Sequence, residues 1–388
     1  MNNLYNDLVN LVNNTTAYGF TSLDISYEDK VYRIFDYGIT SWTEFQKPNA
    51  VNCRGTMFDI TDENNPVLVS LPPEKFFNFH EGTCDHVNDK EIRTVMVKRD
   101  GSLISTYLHN NELLLKSKGH LFSDQAKWAN QLLNEKYSLM KNEMFDLVKK
   151  GYTVNMEYTA PNNTIVVFYS QEELKILSAR EHKTGYLFYG DELKSLLKEY
   201  PEMLNNIVEY EIKEGINNQK VINYINDVLE EQEGEGYVIE IKSLINNKKY
   251  LVKIKNNKYV LLHHAKASFE SPIKIIECIL ENQLDDLRGL FKDDKEVQGY
   301  LDKMEILVVR EYNKFVNKVT NFYEANKSLE IKEYAINAEK ELGLMKGLAF
   351  NMYKGKECDF KSYLIKHKES FFPEIKFNGE KNYRKAIM

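Results

Sequence analysis

Cysteine is scarce in this 388-residue chain and poorly placed for cross-linking. Cys53, Cys84, Cys278 and Cys358 lie far apart without C-x-x-C spacing, which excludes a zinc finger or disulfide framework and suits a reducing cytoplasm. Histidine offers little more: His80 and His86 flank Cys84, and His263 adjoins His264, but neither group has H-E-x-x-H spacing or a third ligand. The phosphate loop G-x-x-x-x-G-K-[ST] is missing, as is G-x-G-x-x-G after a strand, so a nucleotide would have to be held another way. Positive charge is not in excess. The net charge of −7 gives no global nucleic-acid signature, although 51 Lys and Arg can still gather in one groove. No apolar run is long enough for a bilayer, and "MNNLYNDLVNLVNN" lacks a basic leader region. Leu4, Leu8, Leu11 and Val12 fall instead at helical spacing, so the expectation is an amphipathic first helix, no membrane partner and a cytoplasmic setting. There is no internal repeat and no low-complexity segment.

What is present is apolar and aromatic. A hydrophobic content of 43% with 25 Tyr and 20 Phe provides for substantial cores in two or three domains. Up to residue 263 the chain alternates β-prone runs with turns: "KVYRIFDYG", "CRGTMFDI", "PVLVSLP", "NELLLKSKG", "YTVNMEYTAP", "TIVVFYS", "LKILSARE", "GYVIEIKS" and "KYLVKIKNNKYVLLH". Helical patterns near 124–150 and 190–231 flank them, which predicts an α+β domain of mostly antiparallel sheets. After Pro272 apolar residues recur every three to four positions through "IKIIECILENQLDDLRGLF" and the segments that follow, predicting an all-α C-terminal domain. The expected division is 1–265 and 266–388, with the boundary in "HHAKASFESP".

Chemistry concentrates around "MVKRDGSLIST", residues 96–106. "VMV" and "LISTYL" read as strands, so Lys98, Arg99, Asp100 and Gly101 are expected at a hairpin turn, with Asp-Gly supplying positive φ. Taken alone, that stretch is a solvated turn; the alternative is that Lys98 is a nucleophile at the lip of a pocket. Other charged residues interrupt apolar strands in the same region: Arg54 and Gly55 in "NCRGTMFD", Lys75 in "PPEKFFNFHE", Lys118 in "LKSKG", Glu157 in "VNMEYTAP", Glu235 in "EGEGYVIE", and Lys253 with Lys255 in "LVKIKNNKY". Such groups are costly inside strands unless they face a polar cleft. A free lysine is unprotonated in only about one amine per thousand at neutral pH, so a lysine nucleophile needs neighbouring cations or desolvation. Arg54, Lys75, Lys253 and Lys255 would supply the cations and also hold a polyphosphate. Lys253 and Lys255 are two apart, so one strand face can present both.

The order K-x-D-G, S-K-G, a strand Glu, E-G-x-V and K-x-K resembles the covalent nucleotidyltransferases: ATP-dependent DNA ligases, RNA ligases and mRNA capping enzymes. The flanks "YRIFDYG", "CRGTMFD", "EKFFNF", "KRDGSLISTYL", "KSKG", "APNNTIVVFY", "EGYV" and "KIKNNKYVLLH" are similar to the phage-type tRNA-repair RNA ligases, the RNA ligase 1 group, over residues 1–265. The helical pattern after K-x-K separates the chain from DNA ligases and capping enzymes, where a small β-barrel follows. The resemblance implies an adenylation domain using ATP and Mg²⁺ or Mn²⁺, with Lys98 as the adenylated nucleophile. It assigns Tyr37, Arg54, Lys75, Asp100, Gly101, Lys118, Glu157, Glu235, Lys253 and Lys255 to the nucleotide. Glu157 and Glu235 would share the metal and ribose, and Asp285 and Asp286 in "LDDLRGLF" match an acidic pair associated with a divalent ion. The implied partner is RNA with 5′-phosphate and 3′-hydroxyl ends, tRNA-like, acted on by a monomer. Plainer readings stand beside these: Lys253 and Lys255 as guards of an edge strand, Asp285 and Asp286 as a solvated helix face, Tyr37 as core packing. A non-catalytic RNA-end or tRNA-binding protein that retains the fold is the alternative function.

Overall fold

The structure is a computed structural model that describes residues 3–15, 19–38, 40–79, 81, 88–163, 165–260, 272–290, 295–373 and 375. Two compact units divide the chain: Met1–Asn14 with Phe20–His263, and Thr15–Gly19 with His264–Met388. His80, Cys84, His86, His263 and His264 lie outside the described residues; Cys53, Cys278 and Cys358 are free thiols.

The first unit opens with helix α1 (Leu4–Asn13), which buries Leu4, Leu8 and Leu11 against Phe20, Phe35 and Phe58. Strands β1 (Phe20–Tyr27), β2 (Lys30–Tyr37), β3 (Thr56–Asp59) and β4 (Val67–Ser70) form one antiparallel sheet in that order. Then come β5 (Phe77–Asn78), β6 (Lys90–Val97), β7 (Ser102–His109), β8 (Glu112–Ser117), the helices α2 (Asp124–Glu135) and α3 (Ser138–Lys149), β9 (Tyr152–Thr159), β10 (Glu173–Glu181) and β11 (Leu187–Phe188). Helices α4 (Gly190–Leu196), α5 (Pro201–Leu204) and α6 (Gln219–Leu229) surround the short β12 (Tyr210–Ile212), and β13 (Gly236–Ser243) and β14 (Lys249–Lys255) follow. The second sheet runs β11-β10-β9-β7-β8 and the third β12-β6-β13-β14-β5; only the β14–β5 pairing is parallel among these strands.

Local chemistry explains the covering helices. Ser123 caps α2 by accepting the Ala126 N–H, and Ala126, Ala129, Leu132 and Leu133 fall on one face. With α3 they cover Ile104, Leu113, Leu115 and Met156 of the second sheet. Helix α6 lays Val221, Ile225 and Val228 on Ile239, Ile241, Val252 and Ile254 of the third, each burial contributing about 1.5–3 kcal/mol.

The structure overturns two local expectations. The strands flanking "KRDG" form no hairpin: β6 pairs with β12 and β13, whereas β7 pairs with β8 and β9, so Lys98–Gly101 is a crossover between two sheets. "TIVVFYS" forms no strand over residues 165–170, because the Val166 and Val167 N–H groups donate to the Asp100 carboxylate instead of a ladder.

The second unit is helical over its described residues, with helices at Pro272–Leu280, Leu284–Leu290, Lys295–Asn326, Ile331–Leu342, Lys346–Tyr353, Phe360–Lys366 and Lys368–Phe371. Among the described residues no helix is long and apolar enough to cross a membrane.

Candidate active site

Lys98 is the first residue beyond β6, and its N–H donates to the Gly236 carbonyl at 2.9 Å. That bond ties the crossover to the start of β13. A side chain at Gly236 would place Cβ 2.1 Å from the Ile254 carbonyl, at φ +133°, so glycine alone fits there. The preceding Glu235 is 3% exposed, and its carboxylate lies 2.7 Å from Lys98 Nζ and 3.4 Å from Lys255 Nζ. The E-G pair thus places one buried carboxylate between two lysines, so Lys98, for which neighbouring cations or desolvation are expected, is held by an acid as well.

Asp100 and Gly101 have roles different from a turn. Asp100 is 1% exposed; Oδ2 accepts the Val166 and Val167 N–H groups at 2.7 Å each, and Oδ1 accepts the Tyr259 hydroxyl at 2.8 Å. Its own N–H donates to the Tyr169 hydroxyl at 3.1 Å. Gly101 does not have positive φ. It is glycine because a Cβ would sit 2.3 Å from the Tyr158 carbonyl as the crossover passes over β9. Its N–H donates to Glu157 Oε1 at 3.1 Å. Glu157 is only half-buried by surface area, yet burial is the main influence on its carboxyl and pushes it up to about 7. Lys98, Arg54 and the Gly101 N–H oppose that rise, and Glu235 adds to it.

One cleft, with a cavity volume of about 210 Å³, is lined by Tyr37, Arg54, Lys75, Lys98, Glu157, Lys253 and Lys255. Strand alternation explains the last two: Val252 and Ile254 enter the core under α6, leaving Lys253 and Lys255 on the opposite face. Lys75 is ringed by Tyr37, Phe45 and Phe77 at 5.0–5.2 Å from the ring centres. Lys118 lies 4.4 Å from the Tyr37 ring centre and 3.1 Å from Asp36. Burial would raise the Tyr37 phenol, but Lys75, Lys118, Arg54 and Lys253 together hold it below its usual value. Beside this cationic wall stands an apolar one, including Met96, Leu177, Val208, Val238 and Leu251. A flat apolar ring and a polyphosphate could be accommodated side by side.

The RNA ligase family profile matches residues 52–260, and the profile described as the T4 RNA ligase 1 C-terminal domain matches 266–375. This chain belongs to the RNA ligase family. Over 366 residues it is 26% identical to a putative bifunctional polynucleotide kinase/RNA ligase of Autographa californica nuclear polyhedrosis virus, covering 87% of this chain and 48% of the relative. The RNA ligase family chain therefore spans about half the length of that viral protein. A putative RNA ligase of Thermovibrio ammonificans is 23% identical over 286 residues, covering 72% of this chain and 71% of its own. Among solved structures, an archaeal ATP-dependent RNA ligase aligns over 94% of both chains with 13% identity and a TM-score of 0.48. A Naegleria gruberi RNA ligase with pyrophosphate aligns over 52% of this chain and 61% of its own, with 14% identity and a TM-score of 0.39.

Asp285 and Asp286 belong to the helical second unit of this RNA ligase family member. They occupy the first turn of Leu284–Leu290 in the second unit, where burial and the Asp286 carboxylate push the Cys278 thiol up to about 12. Two site-supporting residues escaped sequence reasoning. Arg180, 2% exposed, donates to the Pro72 carbonyl at 2.7 Å and pairs with Glu74 at 2.9 Å, fixing the segment that carries Lys75. Lys116 is completely buried. The available signal was a charge within an apolar strand, in "LKILSARE" and "ELLLKS".

Proposed function

We propose that this chain is an ATP-dependent RNA ligase that joins 5′-phosphate and 3′-hydroxyl RNA ends. The observation that carries the reading is the cleft itself: Lys98 stands at the crossover of two sheets, facing the same cavity as Arg54, Lys75, Lys253 and Lys255, with Glu235 2.7 Å from its amine. Lys98 Nζ attacks the α-phosphorus of ATP; an N–P bond forms and the bond to pyrophosphate breaks. A 5′-phosphate oxygen of RNA then takes the adenylate and frees Lys98. The 3′-hydroxyl attacks that activated 5′-phosphorus, and AMP leaves as the strand is sealed. The Lys98–Glu235 contact must open, or its proton must pass on, before the amine can attack.

Arg54 and Lys75 hold the nucleotide phosphates, Lys253 and Lys255 the α-phosphate, and Tyr37 and Lys118 lie against the nucleotide. Glu157 fits a divalent cation, because burial raises its carboxyl to about 7 despite Lys98 and Arg54, and a bound cation would favour its ionised form. Mg²⁺ or Mn²⁺ held by Glu157 and Glu235, which also serve the ribose, would neutralise polyphosphate charge. The substrate we assign is a broken tRNA-like RNA, sealed by a monomer in a cytoplasm. Sealing of an anticodon-loop nick is compared with sealing of a DNA nick, using wild type and Lys98→Ala. RNA sealing lost in the variant is expected; preference for DNA would refute the substrate, and sealing by the variant would refute the nucleophile.

A further inference from the structure

Lys116 takes no part in those steps, yet it is the most deeply buried charged group beside the cleft. It stands opposite Ser105 in the β7–β8 ladder and is completely buried. Among the described residues its amine has no carboxylate within ion-pairing distance. It donates to two main-chain carbonyls, Ser117 at 3.2 Å and Lys118 at 3.4 Å. A Cβ at Gly55 would be 3.3 Å from this amine and 2.5 Å from the Lys118 carbonyl, so the Arg54–Gly55 backbone passes directly over it. The Gly55 N–H donates to the Phe35 carbonyl at 2.7 Å, which draws in the end of β2.

Two backbone segments therefore meet at this amine, 116–118 and Arg54–Gly55, and the end of β2 joins them through the Phe35 carbonyl; Tyr37 and Arg54 line the cleft, and Lys118 lies against the Tyr37 ring. Burial pushes the amine down to about 7; Asp36 opposes that shift and Lys118 adds to it. An apolar side chain would occupy this position at less cost, so stability alone does not account for the lysine.

We propose that Lys116 is a positioning residue of the nucleotide site, its amine pinning the Lys118 carbonyl under Gly55 and so setting the spacing of Tyr37, Arg54 and Lys118. This rests on the assignment of ATP to the cleft. The test uses the full chain, wild type, Lys116→Met and Lys116→Gln. Binding of a non-hydrolysable ATP analogue is measured by calorimetry, and adduct formation with ATP is followed at saturation. Lys116→Met should fold, melt no lower than wild type and bind the analogue about tenfold more weakly, with a smaller change in the saturated rate. Lys116→Gln keeps an N–H donor one bond shorter and should fall between the two. Wild-type affinity in either folded variant would overturn the assignment, and the Gln variant decides it if the Met variant does not fold. Failure of wild type to bind the analogue would overturn the ATP reading, and this one with it.

Discussion

Replacing Asp100 tests whether the acid of K-x-D-G is a structural hub. Its carboxylate accepts two main-chain N–H groups at 2.7 Å and one hydroxyl at 2.8 Å while 1% exposed. Hydrogen bonds to a charged acceptor contribute about 1.5–3 kcal/mol each. Val166 and Val167 are half-buried, so water can recover part of their loss in Asp100→Ala, whereas the Tyr259 hydroxyl is buried and keeps its penalty. The sum is about 3–5 kcal/mol of stability. Asp100→Asn leaves a carbonyl for the two N–H groups and turns an amide toward Tyr259, whose oxygen can accept, so only charge assistance is lost, about 1 kcal/mol. Urea unfolding of both variants against wild type reads these differences, and adduct formation with α-labelled ATP reads the effect on Lys98 two residues away. Asp100→Ala should lose most of both, and Asp100→Asn should retain a folded chain with slowed labelling. Equal stability of the Ala variant and wild type would refute the hub. So would an Asn variant as damaged as the Ala one.

The other predictions follow from the same geometry. Gly101→Ala must move the crossover off β9, because its Cβ would fall 2.3 Å from the Tyr158 carbonyl; labelling should fall more than a hundredfold, on the order expected for a displaced nucleophile, and near-normal labelling would count against the steric reading. Glu157 gives a pH dependence. Its carboxyl is raised to about 7 in the folded chain, so below that pH it is protonated and a cation must displace the proton. Labelling at limiting Mg²⁺ should climb as pH rises through 7 and then level off, and a profile flat from pH 6 to 8 would remove Glu157 from the metal site. The folded state holds a proton that the unfolded state loses between about 4.5 and 7, so this carboxyl costs stability as pH rises through that window and the cost is full above it. Glu157→Gln should accordingly be no less stable than wild type at pH 8 by thermal melting. Lys253→Ala and Glu235→Ala should cripple labelling while circular dichroism stays unchanged; normal labelling in either would refute its role.

Much of this fold is readable in the sequence, and the exceptions share a physical cause. Period-two alternation in "LVKIK" and helical spacing in "EVQGYLDKMEILVVREYNKFVNKVTNFYEAN" are local signals, and β14 and the helix Lys295–Asn326 appear where those patterns stand. No hairpin forms at "KRDG" because partner choice is not local: β6 finds β13 about 140 positions away, and its neighbour in sequence joins another sheet. "TIVVFYS" has strand composition, but a buried carboxylate captured its N–H groups. Strand β1, "FTSLDISY", went unread because an edge strand facing water need not look apolar. The charged residues that line the cleft, among them Arg54, Glu157, Lys253 and Lys255, stand out in the sequence because charges in apolar runs are costly without a cleft. Lys116 stayed hidden behind Lys118, since composition cannot tell which of two lysines two positions apart is inside.

On the proposed mechanism Lys98 carries an adenylate. Incubation with ATP and Mg²⁺, followed by intact-protein mass measurement and peptide mapping, tests it directly. The expected result is a mass increase of one adenylate group, located on Lys98, reversed by pyrophosphate and absent in Lys98→Ala. An unmodified wild-type chain with every divalent metal tried, or an adenylate on a different lysine, would contradict it.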